Sequence, residues 1–368
     1  MKKNLAIIGA SYLQLPLIEK AKKMGYITHV FAWAANDVGE KVADYFYPIS
    51  IIEKECILEI CREIGICGIC SIASDLAVIT VNYVAEKMNL PGNTIESTGK
   101  CTNKYLMRKA FELNDDPSPK SYLLEAETDI NLLDMSYPAI VKPTDRSGSR
   151  GIYKVNSPEE AELVMKASKS ESFEGKVLIE EFVEGKEYSV EHISYEGRHY
   201  FLAITQKYTT GAPHFIETRH IEPAPLSYIM IEKIKQIISH ALDSLEINNG
   251  ASHSEIKIDN DGNIKIIEIG ARMGGDCIGS DLVEYSTGYD FVKMVVQVSC
   301  GDPPDFTKVC NPFPVESVFL MNKQDIEMFN KLKIEHPEKI IRIVYYKPEN
   351  IGKTTDSSNR VGCYIRKI

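Results

Sequence analysis

Residues 252–276 read SHSEIKIDNDGNIKIIEIGARMGGD. Two runs, SHSEIKID and NIKIIEIG, flank Asp261-Gly262, a dipeptide that favours the positive φ angles of a two-residue hairpin turn. With Asn260 paired to Asn263, counting back along both strands sets Glu255 opposite Glu268. Opposed residues keep their Cβ atoms about 4.5–5.5 Å apart on one face, where like charges repel unless something compensates them. Ile256, Ile258, Ile267 and Ile269 then point to the other face, into a core. Facing carboxylates suit a hard divalent cation, which takes oxygen ligands. Lys257 and Lys265 leave open the alternative of two solvated glutamates.

Upstream, residues 1 to about 95 alternate strand and helix. LAIIGA, ITHVFAW and ICGICSIA read as apolar strands, and LPLIEKAKKMG, ECILEICREIG and DLAVITVNYVAEKMN as helices. That alternation predicts a small parallel α/β unit. The turn after the first strand reads G-A-S-Y-L-Q from Gly9, without the later glycines of a dinucleotide fingerprint, which argues against a nicotinamide-dependent oxidoreductase. Ser74 and Asp75 follow the third apolar strand, at the carboxyl end where open parallel sheets bind ligands. The alternative is that they cap the next helix.

Between these segments, four further stretches invite chemistry. In TNKYLMRKAFELND, Leu106, Ala110 and Leu113 are spaced i, i+4, i+7, which predicts a helix. YPAIVKP is a strand carrying Lys142 near its end, placed for a phosphate or else snorkelling at the surface. TDRSGSRG holds Ser147, Gly148, Ser149, Arg150 and Gly151 between strands. Small residues there let backbone N–H groups approach phosphate oxygens, with Arg146 or Arg150 adding charge. It is not a Walker A loop, since no G-K-[ST] follows. VLIEEFVEGKEYSVE carries Glu180-Glu181, a break at Glu184-Gly185, and then Glu187, Ser189 and Glu191 on one strand face. A carboxylate there suits a ribose diol; the alternative is a solvated face.

The 368 residues suggest two or three domains. With 44% apolar and 26% charged residues, the composition is that of a globular chain rather than a disordered or collagen-like one. A net charge of −10 argues against a general nucleic-acid binder, though not against a local anion pocket. No apolar run is long enough to span a membrane. Nine cysteines, an odd number, predict reduced thiols and a cytoplasmic protein. Cys67 and Cys70 form a C-x-x-C without a second half, so a buried strand is preferred over a zinc or redox site.

In this order, TNKYLMR, YPAIVKP, SGSRGI, VLIEEFVEGKEYSVE, HSEIKID and IIEIGARMGGD resemble the ATP-grasp superfamily across essentially the full chain. The nearest look is the branch of L-amino-acid ligases, with carbamoyl phosphate synthase and biotin carboxylase as broader relatives. The resemblance implies mixed α/β and α+β architecture, an ATP-grasp fold with a Rossmann-like pre-ATP-grasp domain (1–95). The ATP-grasp domain proper would cover 96–311, with a flap-bearing subdomain at about 120–190, and a small C-terminal cap 312–368.

It also implies roles. Lys104 and Lys142 resemble the lysines that hold ATP phosphates, and Ser147, Gly148 and Ser149 the flap over the triphosphate. Glu180, with the backbone of Glu181 to Val183, resembles the adenine-binding hinge, and Glu187 the ribose ligand. Glu255 and Glu268 match the Mg²⁺ carboxylates, with Mn²⁺ as an alternative ion. Arg272 resembles the arginine that meets a substrate carboxylate or acyl phosphate, His220 a substrate-side histidine. One departure stands out: the family commonly has Glu-x-Asn before that arginine, and here Gly270 replaces the asparagine. The implied activity is ADP-forming carboxylate–amine ligation of small, amino-acid-like substrates, without nucleic acid or membrane, in a homodimer as in many relatives. A bicarbonate-activating carboxylase-type enzyme and a non-catalytic ATP-binding regulator are the alternatives.

Overall fold

The computed structural model describes residues 2–125, 128–148, 150–211 and 216–368. The first unit is a parallel sheet of β1 (Asn4–Ile8), β2 (Ile27–Phe31), β3 (Tyr45–Tyr47) and β4 (Gly68–Cys70), in the order β3-β2-β1-β4. Residues of β1 alternate between two cores. Leu5 and Ile7 pack with Leu17, Ile18 and the helix Phe291–Ser299, whereas Ala6 and Ile8 pack with Ile57, Cys61, Ala77 and Val84. Covering both faces is what a parallel sheet needs, because its strands carry apolar residues on both sides.

A second sheet is antiparallel: β5 (Ser121–Leu124), β6 (Ala139–Pro143), β7 (Tyr153–Val155) and β8 (Val177–Glu181), ordered β5-β8-β6-β7. The helix Pro158–Glu171, capped by Ser157, closes one face through Ala161. The third sheet has eight strands. They are β9 (Lys186–Tyr195), β10 (Arg198–Thr209), β11 (Glu217–Glu222), β12 (Gly250–Ile258), β13 (Ile264–Gly270), β14 (Val315–Leu320), β15 (Ile340–Tyr346) and β16 (Gly362–Lys367). Their order is β13-β12-β9-β10-β11-β14-β16-β15. The residues from 315 onward thus extend the large sheet, and they add a helix, Lys323–Glu335, beyond the strands foreseen there.

Along β9, Tyr188 and Val190 face the helix Tyr228–Ser244 and a core with Ile234, Ile238, Ile256 and Ile269. Glu187, Ser189 and Glu191 face the other way. Ser189 and Glu191 are fully buried there, so this is the wall of an interior site and not a solvated face.

The helix predicted from Leu106, Ala110 and Leu113 is present as Lys104–Leu113, opened by the Asn103 side chain. Its inner face is Lys104, Met107, Arg108, Ala110 and Phe111, so of the three spaced residues only Ala110 is buried, and Leu106 and Leu113 are exposed. The deciding hairpin does pair Glu255 with Glu268, but by a different route. The turn is one residue longer than counted, with Ile258 opposite Ile264, and a bulge between Glu255 and Ile256 restores the register. Asp259 accepts from the backbone of Asp261 and Asn263, at 2.9 and 2.8 Å, which stabilises the longer turn. Because Ile267 is the bulged residue, Ile266 takes its place in the core, and Ile267 lines the cleft instead.

Candidate active site

The antiparallel sheet and the polar face of the large sheet enclose a cleft of about 200 Å³. From β6, the Lys142 ammonium is ion-paired with Oε1 of Glu180 on β8, while Arg108 Nε donates to Oε2 at 3.1 Å. All three side chains are buried. Burial opposes the Glu180 charge, but Arg108 and Lys142 outweigh it and hold the carboxyl below its usual range. Burial likewise pushes Lys142 down, against the pull of Glu180. Both Glu180 oxygens are therefore taken, so any contact this hinge makes to a base falls to the backbone of Glu181, Phe182 and Val183, which also line the cleft.

Glu255 and Glu268 each meet an ammonium. Lys207 Nζ lies 2.6 Å from Glu255, 3.1 Å from Glu187 and 3.8 Å from Glu217. Burial disfavours its charge, but the three carboxylates raise its pKa well above the usual lysine value. Lys104 Nζ donates to Glu268 at 2.8 Å and to the Arg146 carbonyl at 2.7 Å. Two ammonium groups standing on two facing carboxylates mark where positive charge is wanted. An all-oxygen donor set there fits Mg²⁺ or Mn²⁺, held by Glu255 and Glu268.

Ser74 and Asp75 divide between their two readings. Ser74 caps the helix Asp75–Lys87, accepting from the Ala77 N–H at 3.3 Å, and does not line the cleft. Asp75 does, and it grips Arg272 with both oxygens, at 2.8 Å to Nε and 3.2 Å to Nη2. Burial works against the Asp75 charge, yet Arg272 holds the carboxyl below its usual range. A Cβ on Gly270 would stand 3.0 Å from Asp75 Oδ1 and 3.4 Å from Arg272 Nε. A side chain at this position crowds the pair, whose atoms must give by a few tenths of an ångström to admit it. Behind Arg272, the buried Glu191 carboxylate pairs with His253 and accepts from the Gly274 N–H at 3.0 Å. It thereby ties strand β12 to the arginine-bearing loop.

His220 is a correction. It is on the same sheet face as Lys207, its cross-strand partner, but only 1% exposed, packed edge-on against Phe319 and off the cleft wall. Burial, with Lys207 nearby, lowers its pKa to about 3, so it is neutral. Glu217, three residues earlier, lines the cleft in its place. Arg360, from the C-terminal segment, is buried and binds Glu217 at 2.6 Å and Asp276 at 2.7 Å. Ser147 and Gly148 line the cleft; Ser149 lies outside the described residues.

Arg108 lies in the TNKYLMR stretch without a role assigned to it there, and Lys207 and Glu217 stand in no motif singled out above. Lys207 nonetheless has the signature that marks Lys142, a lysine inside an otherwise uncharged strand, ITQKYT.

Residues 135–281 match the family model of the ATP-grasp domain. The alanine–anticapsin ligase of Bacillus subtilis is 26% identical over 309 residues, covering 74% of this chain and 65% of its own length. The chain thus spans about two thirds of that relative. The crystal structure of an L-amino acid ligase from Bacillus licheniformis superposes with a TM-score of 0.83 at 24% identity, over 99% of this chain and 93% of that one. A phosphoribosylglycinamide synthetase from Anaerococcus prevotii gives a TM-score of 0.80 at 22% identity, over 100% and 94%. At these identities, the two structures speak for the fold.

Proposed function

We propose that the chain, whose residues 135–281 match the ATP-grasp domain, is an ADP-forming, magnesium-dependent carboxylate–amine ligase acting on amino-acid-like substrates. The observation that carries this is one cleft in which Glu255 and Glu268 face each other, each countered by a lysine, with the Asp75-held Arg272 beside them. The similarity to the alanine–anticapsin ligase supports the substrate class.

In this reading, the nucleotide lies between the two sheets, its base against the Glu181–Val183 backbone and its ribose near Glu187. Lys142 and the backbone around Ser147 and Gly148 meet the phosphates. Glu255 and Glu268 would hold a divalent ion, which would supply Lewis-acid neutralisation of the triphosphate. Lys104, freed from Glu268, then faces phosphate oxygens. A substrate carboxylate attacks the γ-phosphorus, ADP leaves, and the acyl phosphate is met by an amine to give an amide and phosphate. Arg272 orients the acyl phosphate by charge-assisted hydrogen bonds, and catalysis is chiefly positioning and charge stabilisation. The flap excludes water from the acyl phosphate.

The division into 1–95, 96–311 and 312–368, a homodimeric state and a cytoplasmic setting belong to the same proposal, as does action on small molecules rather than nucleic acid or membranes. Among the described residues, no helix is long and apolar enough to cross a membrane.

The test is phosphate release from ATP and Mg²⁺ against the twenty amino acids, singly and in pairs, with Glu268→Gln as control. Release that needs an amino-acid pair and is lost in the variant supports the ligase. Release driven by bicarbonate alone would replace it with a carboxylase-type activity. Nucleotide binding without release under any condition would point to a binding protein.

A further inference from the structure

Away from the cleft, two thiols from opposite ends of the sequence meet. Cys67 Sγ lies 3.6 Å from Cys300 Sγ. Cys67 immediately precedes β4, its N–H bonded to the Asn4 carbonyl at 2.8 Å; Cys300 follows the last turn of the helix Phe291–Ser299. The backbones are pressed together beside them: a Cβ on Gly68 would stand 2.4 Å from the Ser299 carbonyl oxygen and 2.9 Å from Cys300 Sγ. Gly301 is fixed in turn by the Tyr195 hydroxyl, which donates to its carbonyl at 3.1 Å. The two sulfurs are thus held in register by rigid elements. Both cysteines are partly exposed.

We propose that Cys67 and Cys300 are a thiol modification site, closing reversibly to a disulfide under a peroxide. A disulfide needs sulfurs about 2.05 Å apart, so closure draws the two sulfurs together from 3.6 Å. The contact is symmetric, since either thiol can donate to the other. The C-x-x-C pairing is not the reactive one, because Cys70 is buried and burial pushes its thiol up to about 12.

In the first step, the thiolate of one of the two cysteines attacks one peroxide oxygen, the O–O bond breaks, and the departing oxygen takes a proton to leave as water. That cysteine is left as a sulfenic acid. In the second, the sulfur of the other cysteine displaces that hydroxyl, which leaves with the second thiol's proton as a second water. Two electrons pass from the thiols to the peroxide, and a dithiol such as dithiothreitol reverses the bond by exchange. Closure pins the parallel-sheet unit, which carries Asp75, to the helix packed under β9 and β12. The inference does not depend on the ligase reading, since it needs no substrate.

The test uses the full chain with exposed Cys56 replaced by Ser, treated with hydrogen peroxide, alkylated and mapped without reduction. The expected result is a Cys67–Cys300 cross-linked peptide, a higher melting temperature, and loss of both on adding dithiothreitol. In Cys67→Ser and in Cys300→Ser the cross-link is lost, and dimedone captures a sulfenic acid at the remaining cysteine in at least one of the two; capture in neither overturns the sulfenic-acid route. Oxidation that leaves no Cys67–Cys300 peptide in the unsubstituted pair overturns the proposal whatever the variants do.

Discussion

Arg272 of the large-sheet unit is held by Asp75 of the parallel-sheet unit, two nitrogens to two oxygens at 2.8 and 3.2 Å. The guanidinium is planar and cannot turn without breaking one of these bonds, so the N-terminal unit sets the angle at which the arginine meets a ligand. Asp75→Asn keeps the shape and removes the charge that aligns Arg272. A misplaced catalytic group of this kind costs on the order of 10–100-fold in turnover. Phosphate release should fall by that factor, while ATP binding measured by titration stays near wild type. An equal loss of ATP affinity would mean that Asp75 supports the whole cleft instead.

Gly270 makes an opposite kind of prediction. By sequence, Gly270→Asn restores the family's usual third metal ligand and ought to strengthen magnesium binding. By structure, it puts a side chain against Asp75 Oδ1 and Arg272 Nε, at 3.0 and 3.4 Å from its first atom. The expected outcome is lower phosphate release with no tighter Mg²⁺ dependence, read from a magnesium titration of the variant. A gain in both would show that the Asp75–Arg272 pair gives way easily.

Lys207 neutralises Glu255, Glu187 and Glu217 together. Lys207→Met leaves three carboxylates facing one another. Removing one partner of a buried charge pair costs about 3–5 kcal/mol, and the low end applies because these glutamates are partly exposed. In a chelator, the variant should melt well below wild type. Added Mg²⁺ takes over the neutralising role, so it should raise the variant's melting temperature more than the wild type's. An identical magnesium shift in both proteins would place the ion away from Glu255.

Much of this arrangement was legible in the sequence because it rests on periodicity and turn chemistry. The alternation of LAIIGA and LPLIEKAKKMG, the break at Glu184-Gly185 and the facing of Glu255 and Glu268 are local facts. The facing of the glutamates came from an incomplete count, in which a longer turn and a bulge cancel. What was not legible is pairing across the chain. The sequence does not say that Arg108 meets Glu180, that Arg360 reaches Glu217, or that Cys67 lies against Cys300 rather than serving Cys70. Nor does helical spacing alone choose a face, since of the regularly spaced Leu106, Ala110 and Leu113 only Ala110 joins Met107, Arg108 and Phe111 on the buried side. His220 shows the limit of carrying a role over by motif. Its position on the strand matches, but it is buried edge-on against Phe319.

Glu222 gives a stability test that needs no substrate. It is fully buried at the end of β11, where its two oxygens accept from Thr205 and Ser286. Burial raises its pKa from 4.5 to about 7, the two hydroxyl donors acting against this and the Glu191 charge with it. Below pH 4.5 the carboxyl is protonated in both folded and unfolded chains and adds no pH dependence. Between 4.5 and about 7 the unfolded chain releases the proton while the folded one keeps it, so stability falls as pH rises. Above that window the cost levels off, at on the order of 3 kcal/mol. Glu222→Gln keeps an acceptor and has no proton to lose. Its melting temperature should therefore exceed that of wild type by a margin that opens across this window and is flat above it. A margin independent of pH would mean that Glu222 already carries its charge in the folded protein.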